Sequence, residues 1–174
     1  ASSVGAGLIN DVRALQREGA LEAAAEANLP VCLMHMQGQP TTMQVQPSYD
    51  DVVMDIHRFL EERIAACASV GIPKHRLLLD PGFGFGKSLV HNYQLLNQLE
   101  EFHQLGLPLL VGMSRKTMIG RVLNDCPADQ RLFGSLSAAV IAAMKGATII
   151  RVHDVAETYD ALQIVEATLS SSQR

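Results

Sequence analysis

The chain has 174 residues, of which 48% are hydrophobic and 18% are charged, so we expect one soluble domain with a sizeable core. Its formal net charge is −4 and its basic residues are scattered, which argues against a nucleic-acid partner, and no apolar run approaches the ~20 residues of a membrane span. The 3 cysteines are odd in number and lie far apart, which argues against a disulfide framework or a zinc cluster and favours a cytoplasmic location.

Short apolar runs that each end in polar residues predict β-strands. Their continuous apolar character is typical of strands that are covered on both faces, as in a parallel sheet. The predicted strands are 7–11, 31–35, 77–80, 109–114 and 149–154.

Helical periodicity fills the intervals between these strands. The clearest pattern covers 51–70, where Ser48 and Asp51 resemble a capping box before the helix. Gly71 is expected to end that helix. The segment 37–48 has no hydrophobic period and carries two prolines, so we interpret it as a loop or lid beside the site. Further helices are predicted at 19–28, around 96–102, at 131–145 and around 162–169.

The order of elements is that of repeated βα units. The helix at 131–145 is rich in small residues, which would let it approach a neighbour closely. An α/β fold with about five βα units fits two architectures. One is an open five-stranded sheet, and the other is the last five-eighths of a (β/α)8 TIM barrel, which takes about 250 residues when complete.

The segment 80–88 combines an acid, alternating glycines, a lysine and a serine, but it fits neither common glycine-rich phosphate pattern. The Walker pattern would need glycine at position 81, which is Pro81. The glycines at 82, 84 and 86 also lack the dinucleotide-binding spacing. We therefore expect these glycines to let the backbone and Phe85 approach a bound ring closely, and we expect Lys87 to stabilise the turn.

Polar side chains follow the predicted strands, and the carboxyl ends of parallel strands share one rim where ligands bind. Asp80 can accept two hydrogen bonds from an N–C–N edge, Asn10 can donate and accept, and Lys116 can donate to a carbonyl or ring nitrogen. These groups describe a site for a flat, nitrogen-rich heterocycle. Arg151 and His153 are two residues apart on a strand and face the same way, which indicates an anion site suited to phosphate.

Five motifs resemble the dihydropteroate synthase family, and they follow the family's order along the chain. The matching segments are 7–11, 29–38, 78–87, 112–116 and 150–155. The resemblance implies a TIM barrel and a single pterin-binding domain over 1–174, with the first three βα units absent. It implies a folate-pathway transferase that condenses p-aminobenzoate with 6-hydroxymethyl-7,8-dihydropterin diphosphate to give 7,8-dihydropteroate and pyrophosphate. Sulfonamides are the inhibitors that it implies.

The same resemblance assigns roles to eight residues. Those at the pterin are Asn10, Asp80, Lys116, Met34 and Phe85. Those at the diphosphate are Arg151 and His153, and those at the aminobenzoate are Ser114 and Lys116. We expect Lys116, Arg151 and His153 to be catalytic, because charge stabilisation and positioning suffice without a covalent nucleophile. The resemblance also implies a homodimer and Mg²⁺, with the metal's protein ligand outside this chain and no metal ligand within it.

Two alternatives stay open. A pterin-dependent methyltransferase of the related barrel group would lack the motifs at 114–116 and 151–153, and a cobalamin requirement would favour it. A non-catalytic half-barrel that pairs with another chain would form a stable complex without turnover. His35 is interpreted as a structural histidine, since no second metal ligand stands at a suitable spacing.

Overall fold

The structure of the chain, a computed structural model, describes residues 4–38 and 47–171. Within these ranges short parallel strands alternate with helices, as predicted. The strands are β1 (Ile9–Asp11), β2 (Val31–Met34), β3 (Leu77–Asp80), β4 (Leu110–Val111) and β5 (Ile149–Ile150). Strand β1 pairs with β2, β2 with β3 and β4 with β5, and a bridge from Leu79 to Leu109 connects the two groups. The strands therefore lie side by side in chain order.

The helices cover one side of these strands. They are α1 (Ala20–Ala27), α2 (Val52–Ser69), α3 (Leu89–Asn97), α4 (Thr117–Val122), α5 (Leu132–Met144) and α6 (Val155–Ser171). Short 3₁₀ segments lie at Lys74–Arg76, Leu99–Leu105 and Ala128–Gln130. None of the helices in the described ranges combines the length and the apolar composition that crossing a bilayer requires.

Two helix starts differ from the predictions. The Asp51 side chain caps α2 itself, accepting from the backbone N–H groups of Val53 and Met54 at 2.9 and 3.1 Å, so the predicted Ser48–Asp51 capping box is wrong. The predicted helix around 96–102 begins earlier, where Ser88 and His91 form a reciprocal capping box before α3. That helix then tightens into 3₁₀ geometry.

The last two strands are shorter than predicted. The Arg151 N–H still donates to the Val111 carbonyl at 2.8 Å, which prolongs the β4–β5 pairing by one residue. Beyond that point the His153 N–H donates to the Ser114 hydroxyl at 3.2 Å. A side chain therefore replaces the strand partner, and the ladder ends there.

The strands have two faces with different environments. Leu33, Leu77 and Leu79 face the helices and belong to the buried core. Because side chains alternate along a strand, Met34 and Asp80 point to the opposite face, where the strand register places them level with each other. In a parallel sheet covered by helices on one side only, this second face and its carboxyl ends are where polar side chains collect.

Both edges of this sheet are open in the part of the chain that the structure describes. Strands β1 and β5 each pair with a single neighbour. Leu8 and Ile149, at these edges, are 37% and 39% exposed. An unpaired edge offers free backbone groups to another strand, so further strands could pair at either edge.

Candidate active site

A buried carboxylate lies at the centre of the rim. Asp80 ends β3, is 3% exposed, and accepts a hydrogen bond from the Gly82 N–H at 2.8 Å. Burial raises the pKa of Asp80, whereas the Gly82 hydrogen bond lowers it. The neighbouring cations of Lys116, Lys87 and Arg151 lower it as well. The carboxylate is therefore placed among three positive charges that favour its ionised form.

Lys116 approaches this carboxylate from the loop after β4. Its Nζ donates to the Phe83 carbonyl and lies 4.6 Å from the centroid of the Phe85 ring, a cation–π geometry. Burial lowers the pKa of Lys116 to about 8, which Asp80 opposes. A Cβ added at Gly84 would lie 3.2 Å from Lys116 Cδ, so the glycine leaves room for the Lys116 side chain to reach the site.

Ser114, Arg151 and His153 meet at the ends of β4 and β5. The Ser114 Oγ lies 3.0 Å from His153 Nδ1. The Arg151 guanidinium lies over Gly112, where an added Cβ would be 3.0 Å from Arg151 Nη2. Arg151 and His153 are exposed, while Ser114 is buried. The cationic Arg151 and the imidazole of His153 are thus both exposed, and the buried Ser114 hydroxyl contacts the imidazole.

The remaining predicted residues lie at different distances from Asp80. Met34 ends β2, is buried, and is level with Asp80. Phe85 is half-buried under Lys116. Asn10 shares the face of Met34 and Asp80 but lies on β1, two strands from β3 and therefore about 10 Å away, with an exposed side chain. Asp80, Lys116 and Arg151 are close enough for their charges to interact, Ser114 contacts His153, and Asn10 stands at the open side of this rim.

Sequence reasoning assigned no role to Arg115, which joins two of the loops. Its guanidinium binds both oxygens of Asp154, with Nε 3.0 Å from Oδ2, and this bond lowers the pKa of Asp154. Its backbone is left-handed, with φ of 57°, and its N–H donates to Ser135 Oγ at 2.9 Å. Arg115 therefore fixes the loop that carries Ser114 and Lys116. Only its position inside the Ser-Arg-Lys motif could have indicated this.

A second unassigned contact involves Lys87, which is 3% exposed. Its Nζ donates to the carbonyls of Gly82 and Phe85 at 2.8 and 3.1 Å, which confirms the prediction that Lys87 stabilises the turn. The same Nζ lies 3.0 Å from His35 Nδ1. The only sequence signal for this pair was that both residues lie in motifs with polar rim groups.

An open cavity of about 770 Å³ lies between the loop after β3 and the loop after β4. Its lining residues include Phe85, Lys87, Asn92, Lys116 and Met118. The volume is in the range of small-molecule sites. It lies next to the cluster of Asp80 and Lys116 and extends away from the strands.

Only the ends of the predicted loop or lid at 37–48 are described, since 39–46 lie outside the described residues. The Gln37 side chain donates to the Ser48 carbonyl at 2.7 Å and accepts from the Ser48 N–H at 3.1 Å. These bonds join the two ends of the segment beside the rim. For metal binding, no group of three His, Cys, Asp or Glu side chains within 4–38 and 47–171 is placed to hold an ion.

A profile of the family described as pterin binding enzyme matches residues 1–153. The chain belongs to the pterin-binding enzyme family. The dihydropteroate synthase of Escherichia coli K12 is 63% identical over 172 residues, which are 99% of this chain and 61% of that protein. The dihydropteroate synthase of Haemophilus influenzae is 57% identical over 171 residues, 98% of this chain and 62% of that protein. This pterin-binding enzyme chain thus spans about three fifths of such relatives and corresponds to their C-terminal portion.

Solved structures of the family have the same fold. A Yersinia pestis dihydropteroate synthase with a sulfonamide drug matches with a TM-score of 0.95 and 63% identity, covering 98% of this chain and 62% of that one. The Xanthomonas albilineans enzyme in complex with 7,8-dihydropteroate matches with a TM-score of 0.90 and 50% identity, covering 96% and 62%. These neighbours confirm the TIM-barrel class, of which this pterin-binding enzyme chain covers one part.

Proposed function

We propose that the chain supplies the pterin and diphosphate sites of a dihydropteroate synthase, and that 1–174 acts as one pterin-binding domain. The reaction joins p-aminobenzoate to 6-hydroxymethyl-7,8-dihydropterin diphosphate, releasing pyrophosphate. The observation that carries the proposal is the convergence of the buried Asp80 with Lys116 and Arg151 at one rim. The identity of 63% to a dihydropteroate synthase supports the same reaction over the methyltransferase alternative.

The pterin ring fits the polar groups around Asp80. An ionised carboxylate can accept two hydrogen bonds from the N–C–N edge of the ring, and Lys116 can donate to a carbonyl or ring nitrogen. Met34, level with Asp80 on the neighbouring strand, and Phe85, in contact with Lys116, would supply apolar surface near this carboxylate. Asn10, at the open side of the rim, would contact the far edge of the bicyclic ring.

The chemical step needs charge stabilisation and little else. The amine nitrogen of p-aminobenzoate forms a bond to the methylene carbon, the carbon–oxygen bond to the diphosphate breaks, and its electron pair leaves with the diphosphate. The amine nitrogen then loses a proton to solvent. We expect Arg151 and His153 to stabilise the departing charge, and the contact of Ser114 Oγ with His153 Nδ1 supports a role of Ser114 in orienting the imidazole. Ser114 and Lys116 also border the space in which the amine must be positioned.

Mg²⁺ is a proposal for the complete enzyme only. The described residues of this chain do not fit a metal centre of their own, because they bring no three His, Cys, Asp or Glu side chains together. No step is therefore assigned to the ion. The positive charges that the chain itself offers the diphosphate are those of Arg151 and, when protonated, His153.

A homodimer and a cytoplasmic location complete the proposal. The face formed by α5 and α6, here called the α5–α6 face, exposes large apolar side chains, among them Phe133 at 79% and Ile164 at 70%. An apolar groove of about 400 Å³ runs between these helices. A second copy of the chain is the partner that the family resemblance implies.

Free cysteines, two of them buried, suit a reducing compartment.

The proposal is tested with a chimera. The N-terminal part of the Escherichia coli relative that precedes its match to this chain is fused ahead of residue 1, which completes the barrel. We expect the chimera to restore growth of a bacterial strain that lacks its own dihydropteroate synthase, and to bind the dihydropterin diphosphate in isothermal titration. A folded chimera that binds no pterin would reject the proposal, and a cobalamin requirement would favour the methyltransferase.

A further inference from the structure

Lys87 is a buried lysine to which the proposed reaction gives no task. Its ammonium group has three acceptors within 3.1 Å, namely the carbonyls of Gly82 and Phe85 and the Nδ1 atom of His35. Burial lowers the pKa of Lys87 to about 7, because a charged amine loses its hydration at this position. All three contacts fall on segments that border Asp80.

His35 is held in one orientation by its surroundings. It is 6% exposed, and its ring lies edge-on to Phe59 with the centroids 4.9 Å apart. An ammonium group has donors only, so the Nδ1 atom that faces Lys87 has to accept. His35 is therefore neutral, with its ring proton on Nε2. Its backbone N–H also donates to the Asp80 carbonyl at 3.0 Å, which places the histidine directly beside the proposed pterin carboxylate.

The loop 81–86 between Asp80 and Lys87 is held from several directions. Gly82 has φ of +73°, and a Cβ added there would lie 1.8 Å from the His35 carbonyl oxygen. The Tyr49 hydroxyl donates to the Gly86 carbonyl at 2.7 Å. Lys87 binds the two carbonyls between these points. The loop is therefore held by a close backbone approach to the end of β2 at Gly82 and by the side-chain hydrogen bonds of Tyr49 and Lys87.

We propose that Lys87 and neutral His35 form a buried positioning pair that holds the loop 81–86 in place, and with it the Asp80 carboxylate and the Phe85 ring. The inference rests on the proposed function, since Asp80 and Phe85 are its pterin contacts. Lys87 touches no reacting atom in this arrangement. It acts through the loop, by joining the carbonyls of Gly82 and Phe85 to the fixed ring of His35.

The charges around Lys87 agree with this task. Asp80 raises the pKa of Lys87, whereas Lys116 lowers it. Neutral His35 adds an acceptor without adding a charge. Asp80 therefore favours the protonated form of Lys87, which is the form that donates to the carbonyls of Gly82 and Phe85.

The first test measures the tautomer of His35. Histidine ring nitrogens are labelled with ¹⁵N in the 174-residue chain and, in parallel, in the chimera, and the signals lost in His35→Asn identify the residue. We expect an unprotonated Nδ1 and a protonated Nε2 between pH 5 and pH 6, below the pKa of Lys87 of about 7, and a raised His35 pKa in Lys87→Met. A proton on Nδ1, or a His35 pKa that is unchanged in Lys87→Met, would overturn the proposal. This readout needs no ligand, so it stands even if the proposed function fails.

The second test measures affinity for 6-hydroxymethyl-7,8-dihydropterin diphosphate by isothermal titration in the chimera. We expect Lys87→Met and His35→Leu each to weaken binding by at least about tenfold, as expected when a buried charged hydrogen bond is lost. His35→Asn keeps an acceptor near the Nδ1 position and should bind within about threefold of the unsubstituted chimera. Lys74→Met, at an exposed lysine on a 3₁₀ turn before β3, is the control.

Two results of this titration would contradict the positioning role. One is a folded Lys87→Met chimera that binds the pterin as tightly as the unsubstituted one. The other is an equal loss in His35→Asn and His35→Leu, because the acceptor at Nδ1 would then be irrelevant. Failure of the unsubstituted chimera to bind would instead reject the proposed function, and the ¹⁵N result would still decide the pairing.

Discussion

Two carboxylates near the rim show how surroundings divide their roles. Asp80 is buried, and desolvation raises its pKa. Asp154 is half-buried, and its bond to Arg115 lowers its pKa. Both Asp154 oxygens are bound by Arg115, which holds a loop, whereas the cations beside Asp80 oppose the effect of its burial and favour its ionised form. A carboxylate thus positions a loop at Asp154, whereas at Asp80 we expect it to recognise the ligand.

Replacement of Asp80 by Asn tests whether the Asp80 carboxylate binds the pterin ring. The amide presents a donor where the pterin also donates, so we expect Asp80→Asn to weaken pterin binding by about 10- to 100-fold, the usual range for a charged hydrogen bond. Isothermal titration of the chimera measures the change. Asp129→Asn, at an exposed position, is the matched control. Binding by Asp80→Asn that equals the control would show that the carboxylate does not contact the ring.

The buried His35 predicts a pH dependence of stability. Burial lowers its folded pKa from 6.5 to about 3. The unfolded chain therefore binds an extra proton between these values, and the stability present above pH 6.5 is lost as the pH falls toward 3. The loss is at most about 1.4 kcal/mol per pH unit. Urea unfolding of the chain and of His35→Asn should show a flatter acid slope in the variant, and equal slopes would refute the assignment.

At the scale of elements, the site depends on close approach between segments. Gly134 on α5 lies where an added Cβ would be 2.5 Å from Ile119 Cγ2 on α4, which confirms the prediction that the helix at 131–145 approaches a neighbour closely. Lys116 is the residue before α4. The absence of a side chain at Gly134 therefore lets α5 pack closely against α4, the helix that begins directly after Lys116.

Two glycines, Gly71 after α2 and Gly82 in the loop after β3, separate the effect of backbone strain from that of crowding. Gly71 and Gly82 both have positive φ, +82° and +73°, but only an added Cβ at Gly82 meets other atoms, at 1.8 Å from the His35 carbonyl oxygen. We expect Gly71→Ala to cost about 1 kcal/mol of unfolding free energy, the price of a left-handed alanine. Gly82→Ala should cost at least about 2 kcal/mol more, because a backbone contact has to open.

Urea unfolding followed by circular dichroism measures both changes in the chimera. The expected order is unsubstituted, then Gly71→Ala, then Gly82→Ala. Equal losses would mean that the approach of loop 81–86 to the end of β2 is not tight. Pterin affinity should also fall in Gly82→Ala and stay unchanged in Gly71→Ala, since only the former borders Asp80.

At the scale of the whole molecule, the chain has a site at one end of an open sheet. The edges at β1 and β5 are unpaired within the described residues, and the solved relatives extend beyond the part that this chain covers. Strands added at these edges would also cover Leu8, Ile149 and the exposed side of Asn10. A complete barrel is thus expected to sharpen the pterin site as well as to stabilise the fold.

The α5–α6 face predicts self-association of the completed barrel. We expect the chimera to sediment as a dimer, and Ile164→Glu combined with Met144→Glu to shift it toward the monomer, because both side chains are exposed and apolar on that face. Val90→Glu, at a 63% exposed valine on α3, is the control. A dimer that persists in the double variant would place the interface elsewhere.

The sequence by itself determined the alternation of strands and helices, the fold class and most of the residues at the rim. Apolar runs, helical periodicity and short motifs are local signals, so they predict where a strand ends and which polar group follows it. Asp80, Lys116, Ser114, Arg151 and His153 were all found in this way. Their gathering follows from the shared polarity of parallel strands.

Tertiary structure alone decided which side chains pair with one another. The contact between Lys87 and His35 spans 52 residues, and that between Arg115 and Asp154 spans 39. No periodicity connects positions so far apart, and the pairs form only because adjacent strands bring their loops together. The depth of burial was decided in the same way, since desolvation by the packed elements is the main cause that raises the pKa of Asp80 and lowers that of Lys87. Local sequence encodes the elements, whereas burial and charge pairing arise only when the elements pack.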